Sequence, residues 1–199
     1  MLTLKRSLSA ARYIAESVLP LLFWVMLIFG FDTPDIAILT ILAALIHELG
    51  HLLAASLTKR GGVLRSHLSG FRIRVGMRGY AEQILLLAAG PLVNLAVFLL
   101  TLPHSGLANG YFMMIGYINL LSALSNLLPI EGYDGYGILM TLAEAKNSHI
   151  SFRLLCISSF TLTLSLTLIS LYIMLRYGGG YWIFGVFFVT LLTKIKKLL

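Results

Sequence analysis

One apolar stretch, from Asp35 to Thr58, carries two histidines and a glutamate where a membrane-spanning helix normally carries Leu, Ile and Val. The three residues are His47, Glu48 and His51. Placing an ionisable side chain inside a bilayer costs roughly 2.5–3.5 kcal/mol on the insertion scales. Because a bound metal ion would offset that cost, the stretch predicts a metal site inside a membrane helix.

The rest of the chain has the composition of a membrane protein. Of its 199 residues, 58% are hydrophobic and 12% charged, and the mean hydropathy is +0.90. The apolar residues form long blocks, which is typical of a polytopic protein embedded in a lipid bilayer. The net charge of +7 is spread between these blocks, so no nucleic-acid partner is expected. The single Cys156 excludes an internal disulfide and a Cys-rich metal site.

The blocks predict an all-α fold with six transmembrane helices in a single domain covering residues 1–199. The N-terminal basic residues and short apolar run are similar to a signal peptide, but no small-residue cleavage site follows them. We therefore expect a membrane span there as well. The predicted spans are about 14–31, 36–58, 80–102, 110–128, 152–176 and 180–199.

Lys and Arg residues predict how these spans are oriented. They concentrate at both termini and in the loops after the second and fourth spans, whereas the alternate loops contain few. The positive-inside rule then places both termini in the cytoplasm of a multi-pass protein of the cell membrane. His51 lies eight residues before Lys59 on a span that runs inward. At the helical rise it is about 12 Å from the cytoplasmic surface.

Strand periodicity occurs between the second and third spans. Phe71, Ile73 and Val75 alternate with polar residues or glycine, and Ser69 and Gly70 suit a turn. A small membrane-associated β-hairpin is expected here. An exposed strand edge could bind an unwound substrate segment by strand addition. The alternative is an interfacial hairpin whose arginines contact anionic lipid headgroups, and the two are compatible.

The motif around His47 predicts zinc chemistry. Residues four apart share a helix face, so His47 and His51 can bind one cation, with Glu48 a turn neighbour. Zinc lowers the pKa of its water to about 7, and a carboxylate can take that proton. A tetrahedral site needs a third protein ligand, for which Asp134 is the best candidate and Glu131 the rival.

The surroundings of Asp134 leave two interpretations open. Pro129 and Gly132 should break the fourth span, which would put Asp134 on unwound backbone lining a cavity. Alternatively, Asp134 could be the N-cap of a helix over Gly135–Ala145. Asn94, in the middle of the third span, is either a polar support for the active-site helices or an ordinary interhelical hydrogen-bonding group.

The same residues also permit functions other than catalysis. The histidines and Glu48 could bond one another only for helix packing. The chain could also be a zinc transporter or a non-catalytic zinc-binding membrane protein. Transport needs a polar path across the whole membrane. Outside His47–His51, Gly90–Asn94 and Asn126–Gly135, the polar residues of the spans are little more than scattered Ser and Thr. Faces of small residues leave a homo-oligomer open.

Three blocks resemble the site-2 protease family of intramembrane zinc metalloproteases. They are His47–His51, Gly90–Asn94 and Asn126–Gly135, and they occur in the family's order. The resemblance implies one Zn²⁺ per chain bound by His47, His51 and Asp134, with Glu48 as catalytic acid/base. Asn126 would hold the substrate backbone or stabilise the oxyanion. The expected substrate is a transmembrane or membrane-anchored protein. Because His51 lies nearer the cytoplasmic surface, we expect the cut near that side.

The compact plan is similar to the sporulation-protease branch of that family. The family often has Leu before the Asp and Pro nearby, whereas this chain has Tyr133 and Gly132. Tyr136 stands where a small residue often follows Asp-Gly. These departures concern the shape of the loop and leave the ligand set intact.

Overall fold

The computed structural model describes residues 33–57, 63–67, 70–74, 79–104 and 110–198. These residues form helices and one pair of strands. In chain order the elements are α1 (Pro34–Leu57), β1 (Val63–His67), β2 (Gly70–Arg74), α2 (Tyr80–Thr101), a 3₁₀ turn (Leu102–His104), α3 (Tyr111–Asn126), α4 (Asp134–Ala145), α5 (His149–Tyr177) and α6 (Tyr181–Leu198).

Five of these helices match predicted membrane spans in position. The predicted span at 14–31 lies outside the described residues. Among the described helices, three are long and apolar enough to cross a membrane, namely α1, α2 with its 3₁₀ extension, and α5. The helix α3 has 16 residues, and α6 ends in a lysine-rich turn. The structure is therefore that of a membrane protein with an all-α core.

The helix α4 corrects the expectation for Asp134. The unwound backbone covers residues 127–133 and ends before Asp134, which is the first residue of α4. The N-cap position belongs to Tyr133, so Asp134 does not cap the helix either. Leu, Met, Ala and Glu, which favour helix, outweigh the two glycines of the first turn. The carboxylate of Asp134 is thereby left for contacts outside its own helix.

The central helix of the bundle is α2. It packs against α1, α3 and α4, α1 also packs against α3, and α5 pairs with α6 and contacts α4. The backbones of α1 and α2 touch at Gly50, where an added Cβ would lie 2.7 Å from the Ala89 carbonyl oxygen and 3.0 Å from Gly90 Cα. Small residues permit such close approach in membrane helices.

The outer surface of α1 is apolar, and its inner surface is built from small residues. Ala43, Ala54 and Ala55 are buried, whereas large side chains on the opposite face are exposed, such as Leu42, Leu45, Leu49 and Leu53. Because lipid tails are themselves apolar, large aliphatic side chains can face them without penalty. The pattern agrees with a helix that faces lipid on one side.

The strands β1 and β2 pair antiparallel between α1 and α2. Their register runs from Val63 opposite Arg74 to His67 opposite Gly70. Phe71 and Ile73 of the predicted substrate strand lie in β2, whereas Val75 and the first turn residue, Ser69, lie outside the described residues. No described element other than β1 pairs with β2, so one edge of the two-stranded sheet is open within the described chain.

Candidate metal centre

Two buried histidines and a partly buried aspartate converge between α1 and the start of α4. The Nε2 atoms of His47 and His51 are 3.1 Å apart, because a four-residue spacing puts both rings on the inner face of α1. Oδ2 of Asp134 lies 3.0 Å from His47 Nε2 and 3.2 Å from His51 Nε2. The three atoms form a nearly equilateral triangle, so the third ligand candidate does reach the two histidines.

The size of this triangle fits a zinc ion. With ligand bonds of about 2.0–2.1 Å at a tetrahedral centre, ligand atoms lie about 3.3 Å apart. The observed edges of 3.0, 3.1 and 3.2 Å are close to that value. Although Asp134 Oδ2 is within ion-pairing distance of both imidazoles, neither contact has hydrogen-bond geometry. A cation shared by the three atoms would satisfy this buried oxygen.

A backbone contact from α2 fixes the orientation of His51. Its Nδ1 lies 2.8 Å from the carbonyl oxygen of Leu86, which can only accept a hydrogen bond. The proton is therefore assigned to Nδ1, and Nε2 keeps its lone pair for a metal. For His47, Nδ1 is buried and has no hydrogen-bond partner among the described residues.

Gly90 of α2 forms the surface on which both imidazole rings lie. An added Cβ would lie 2.5 Å from His51 Nε2 and 2.7 Å from His47 Cε1. Any side chain larger than hydrogen would therefore displace one ring or the other. Leu86 and Gly90 are one turn apart on α2, so a single face of this helix both orients and accommodates the two histidines.

A cavity of about 420 Å³ adjoins His51 and Asp134, two of the three ligand candidates. Glu48 lines it, and its Oε2 is buried without a hydrogen-bond partner among the described residues. The walls come from α1, α2, the segment before α4 and α4 itself: Glu48, His51, Gln83, Leu86, Leu87, Glu131, Gly132, Tyr133, Asp134, Tyr136, Gly137, Met140, Thr141 and Glu144. A carboxylate without a partner thus faces a space large enough for water and part of a substrate.

The remaining candidate residues take different positions. Glu131 lines the cavity but is not part of the His47, His51 and Asp134 cluster. Asn126 is the last residue of α3, its amide donates to the Ser122 carbonyl at 3.0 Å, and it is not among the residues that line the cavity. Asn94 is fully buried and donates to Ser122 Oγ at 2.6 Å, which joins α2 to α3.

Two tyrosines of the cavity wall were not singled out as functional by the sequence. Burial raises the pKa of Tyr133 to about 12. Burial, followed by contact with Cys156, raises the pKa of Tyr136 above its ordinary value. Both phenols are therefore protonated at neutral pH and can donate hydrogen bonds. Their only sequence signal was the departure of the Tyr133–Tyr136 segment from the family pattern.

Comparison with known proteins identifies a solved structure of similar fold. No protein-family model and no curated protein sequence matches the chain. Among solved structures, the fold is similar to that of the Site-2 Protease from Methanocaldococcus jannaschii, with a TM-score of 0.64 and 21% identity. The match covers 90% of this chain and 86% of that chain. The protein therefore has a site-2 protease fold and a His-His-Asp cluster that could bind a metal ion.

Proposed function

We propose that the protein is an intramembrane zinc endopeptidase of the site-2 protease family, with one Zn²⁺ per chain bound by His47, His51 and Asp134. The observation that carries this proposal is the triangle of ligand atoms with edges of 3.0–3.2 Å, set beside the cavity that Glu48 lines. The similarity in fold to a solved site-2 protease supports it. Hydrolysis of a peptide bond is the chemistry that this combination suits.

Each residue around the site has a separate role in the proposed hydrolysis. Zn²⁺ bound there would supply Lewis acidity, which activates water and polarises a peptide carbonyl. Glu48 accepts the proton of the attacking water at its carboxylate and returns it to the leaving amine nitrogen. The Leu86 carbonyl holds His51 in the ligating tautomer. Asn126 remains the proposed contact to the substrate backbone or oxyanion, for which its amide must exchange the bond to Ser122.

The proposed substrate is a transmembrane or membrane-anchored protein cut near the cytoplasmic side, as in regulated intramembrane proteolysis. The proposed topology has six spans in one domain over residues 1–199 with both termini cytoplasmic, a plan similar to the sporulation-protease branch, and it would put His51 near the cytoplasmic face. A reporter fused at Gly106 is expected to give an extracytoplasmic signal. A cytoplasmic signal at that position would contradict the proposed topology.

The hairpin is proposed to bind the unwound part of the substrate. Helical carbonyls are bonded internally, so a helix must unwind before its peptide bond can reach the metal. The open edge of β2 could pair with the released segment. Proline at Ile73 and Val75 should then reduce cleavage, because proline cannot donate to a strand ladder. Unchanged cleavage in both variants would remove this part of the proposal.

The decisive test is co-expression with membrane-tethered reporter substrates. The Glu48→Gln variant should keep its metal and lose cleavage, because the amide cannot accept the proton of water. Glu82→Gln on α2 is the matched control, since Glu82 does not line the cavity. Cleavage retained in Glu48→Gln would exclude the proposed role. If the unmodified protein moves zinc across the membrane but cleaves no reporter, the transporter alternative is favoured.

A further inference from the structure

The ammonium group of Lys194 is buried between α5 and α6. In the sequence Lys194 is one of the C-terminal basic residues that predict the membrane topology. In the structure only 7% of its surface is accessible to solvent. Its Nζ donates to the Ser159 carbonyl oxygen at 2.8 Å, to Ser159 Oγ at 2.5 Å and to Thr163 Oγ1 at 2.8 Å. The three protons of the ammonium group thus have three oxygen acceptors on α5.

Ser159 extends this cluster to the segment that carries Asp134. Its Oγ also accepts a hydrogen bond from the backbone N–H of Glu131, at 2.8 Å. A hydroxyl oxygen has two lone pairs, so the bonds from Lys194 and Glu131 use both of them. Hydrogen bonds from an ionised donor are roughly twice as strong as neutral ones. Lys194 therefore holds the Ser159 side chain where it can accept from Glu131.

The segment from Glu131 to Asp134 is short and is fixed by close contacts on both sides. Ile130, just before it, is completely buried, and the N–H of Tyr133 donates to the Ile130 carbonyl at 2.9 Å. Gly135, just after it, packs so closely on the Leu127 backbone that an added Cβ would collide. Little freedom remains to absorb a shift at Glu131, so such a shift would move the carboxylate of Asp134.

We propose that Lys194 is a positioning residue for the metal centre. Acting through Ser159, it fixes Glu131 and so sets the distance of Asp134 from His47 and His51. The inference rests on the proposed metal-binding function of the cluster, and it assigns a role to a residue on the last helix. It also explains why a basic side chain is buried at a helix contact where a neutral residue would suffice for packing.

The test is a titration of the purified full chain with Co²⁺, whose visible spectrum reports ligand geometry. Loss of a hydrogen-bond partner that orients a metal ligand typically weakens metal binding 10–100-fold. For Lys194→Met we expect a loss of about tenfold, at the lower end of that range, and altered Co²⁺ bands. Lys194→Arg should restore part of the affinity. Lys196→Met, on an exposed position of the same helix, should match the unmodified protein.

A double-variant cycle tests the route through Ser159. The variant with both Lys194→Met and Ser159→Ala should bind Co²⁺ no more weakly than Ser159→Ala alone. Additive losses would overturn the proposal, as would unmodified affinity and spectrum in Lys194→Met. Should Lys194→Met fail to fold, the comparison of Ser159→Ala with Ser158→Ala, its neighbour on the same helix, decides the matter. An unchanged affinity in Ser159→Ala would then overturn it.

Failure of the proposed function gives a different result. If the unmodified chain binds Co²⁺ but cleaves no membrane-tethered reporter, the protease function fails, and the Co²⁺ affinity of Lys194→Met still decides the positioning role. If the unmodified chain binds no Co²⁺, both are overturned. If it binds and cleaves, and Lys194→Met does both equally well, only the positioning role is wrong.

Discussion

Two clusters of ionisable and polar side chains lie inside the apolar helices, and they differ in how their atoms are satisfied. In the cluster of His47, His51 and Asp134, a buried carboxylate oxygen has no hydrogen-bond donor among the described residues. In the cluster around Lys194, each ammonium proton has an oxygen acceptor on α5. The first arrangement could accommodate an additional cation, whereas the second is closed by the protein itself.

The difference separates a binding site from a structural contact. Buried polar groups without partners are costly, and membrane interiors offer no water to satisfy them. A cluster that keeps such groups needs a ligand to offset the cost. A cluster with satisfied groups needs none, and contributes instead to the geometry of its neighbours. Substitutions at Asp134, Gly90 and Thr163 test this contrast between the two clusters.

Removal of the third ligand should have the largest effect. Asp134→Ala deletes one corner of the triangle, so metal affinity should fall by more than the roughly 10–100-fold expected when only a ligand's hydrogen-bond partner is lost. Zinc at 100 times its Kd should stabilise the unmodified protein by about 2.7 kcal/mol and this variant far less. Thermal unfolding with and without a chelator measures both. Equal zinc stabilisation in the two proteins would mean that the metal binds elsewhere.

A change at Gly90 should have an intermediate effect. Gly90→Ala places a methyl group against both imidazole rings, and overpacking of this kind typically costs about 1–3 kcal/mol. We expect the loss to fall mainly on metal affinity, because the rings are what must move. Gly79→Ala is the control, since none of the described residues lies within 4 Å of its added Cβ. Similar metal affinity in both variants would show that α2 does not support the histidines.

A change within the closed cluster should have the smallest effect. Thr163→Val removes one acceptor of the Lys194 ammonium, and a hydrogen bond to a charged group is worth about 1.5–3 kcal/mol in soluble proteins. Hydrogen bonds between membrane helices average about 0.6 kcal/mol, so we expect a loss of stability nearer that value. Denaturant unfolding in detergent measures it. A larger loss of zinc-dependent stability than of zinc-free stability would show that this contact supports metal binding more than helix packing.

The sequence predicted which three side chains converge better than it predicted the backbone that presents them. Fixed helical spacing is enough to place His47 and His51 together, and Asp134 was found because carboxylates are rare in such a chain. The start of α4 was misjudged by one residue, because Pro129 and Gly132 were expected to leave Asp134 on unwound backbone. Gly135 and Gly137, in the first turn of α4, serve close packing, against the Leu127 backbone and the Leu87 side chain.

Other contacts left no local trace in the sequence. The bond from His51 to the Leu86 carbonyl joins residues 35 apart, and any residue offers a backbone carbonyl. Lys194 belongs to a run of C-terminal basic residues, and only the packing of α6 on α5 separates it from Lys196. Such roles depend on which helices are neighbours, and periodicity within one helix does not contain that information.

The backbone contact at Gly50 and Gly90 has a mechanical consequence. With almost no space between them, α1 and α2 cannot separate or rotate without moving the histidines, so this pair forms a rigid wall of the cavity. The opposite wall, formed by α4 and the segment before it, packs on α2 and α5 and is joined to α5 by hydrogen bonds such as that from Glu131 to Ser159. The distance between these two walls therefore limits the width of a polypeptide that can enter the cavity.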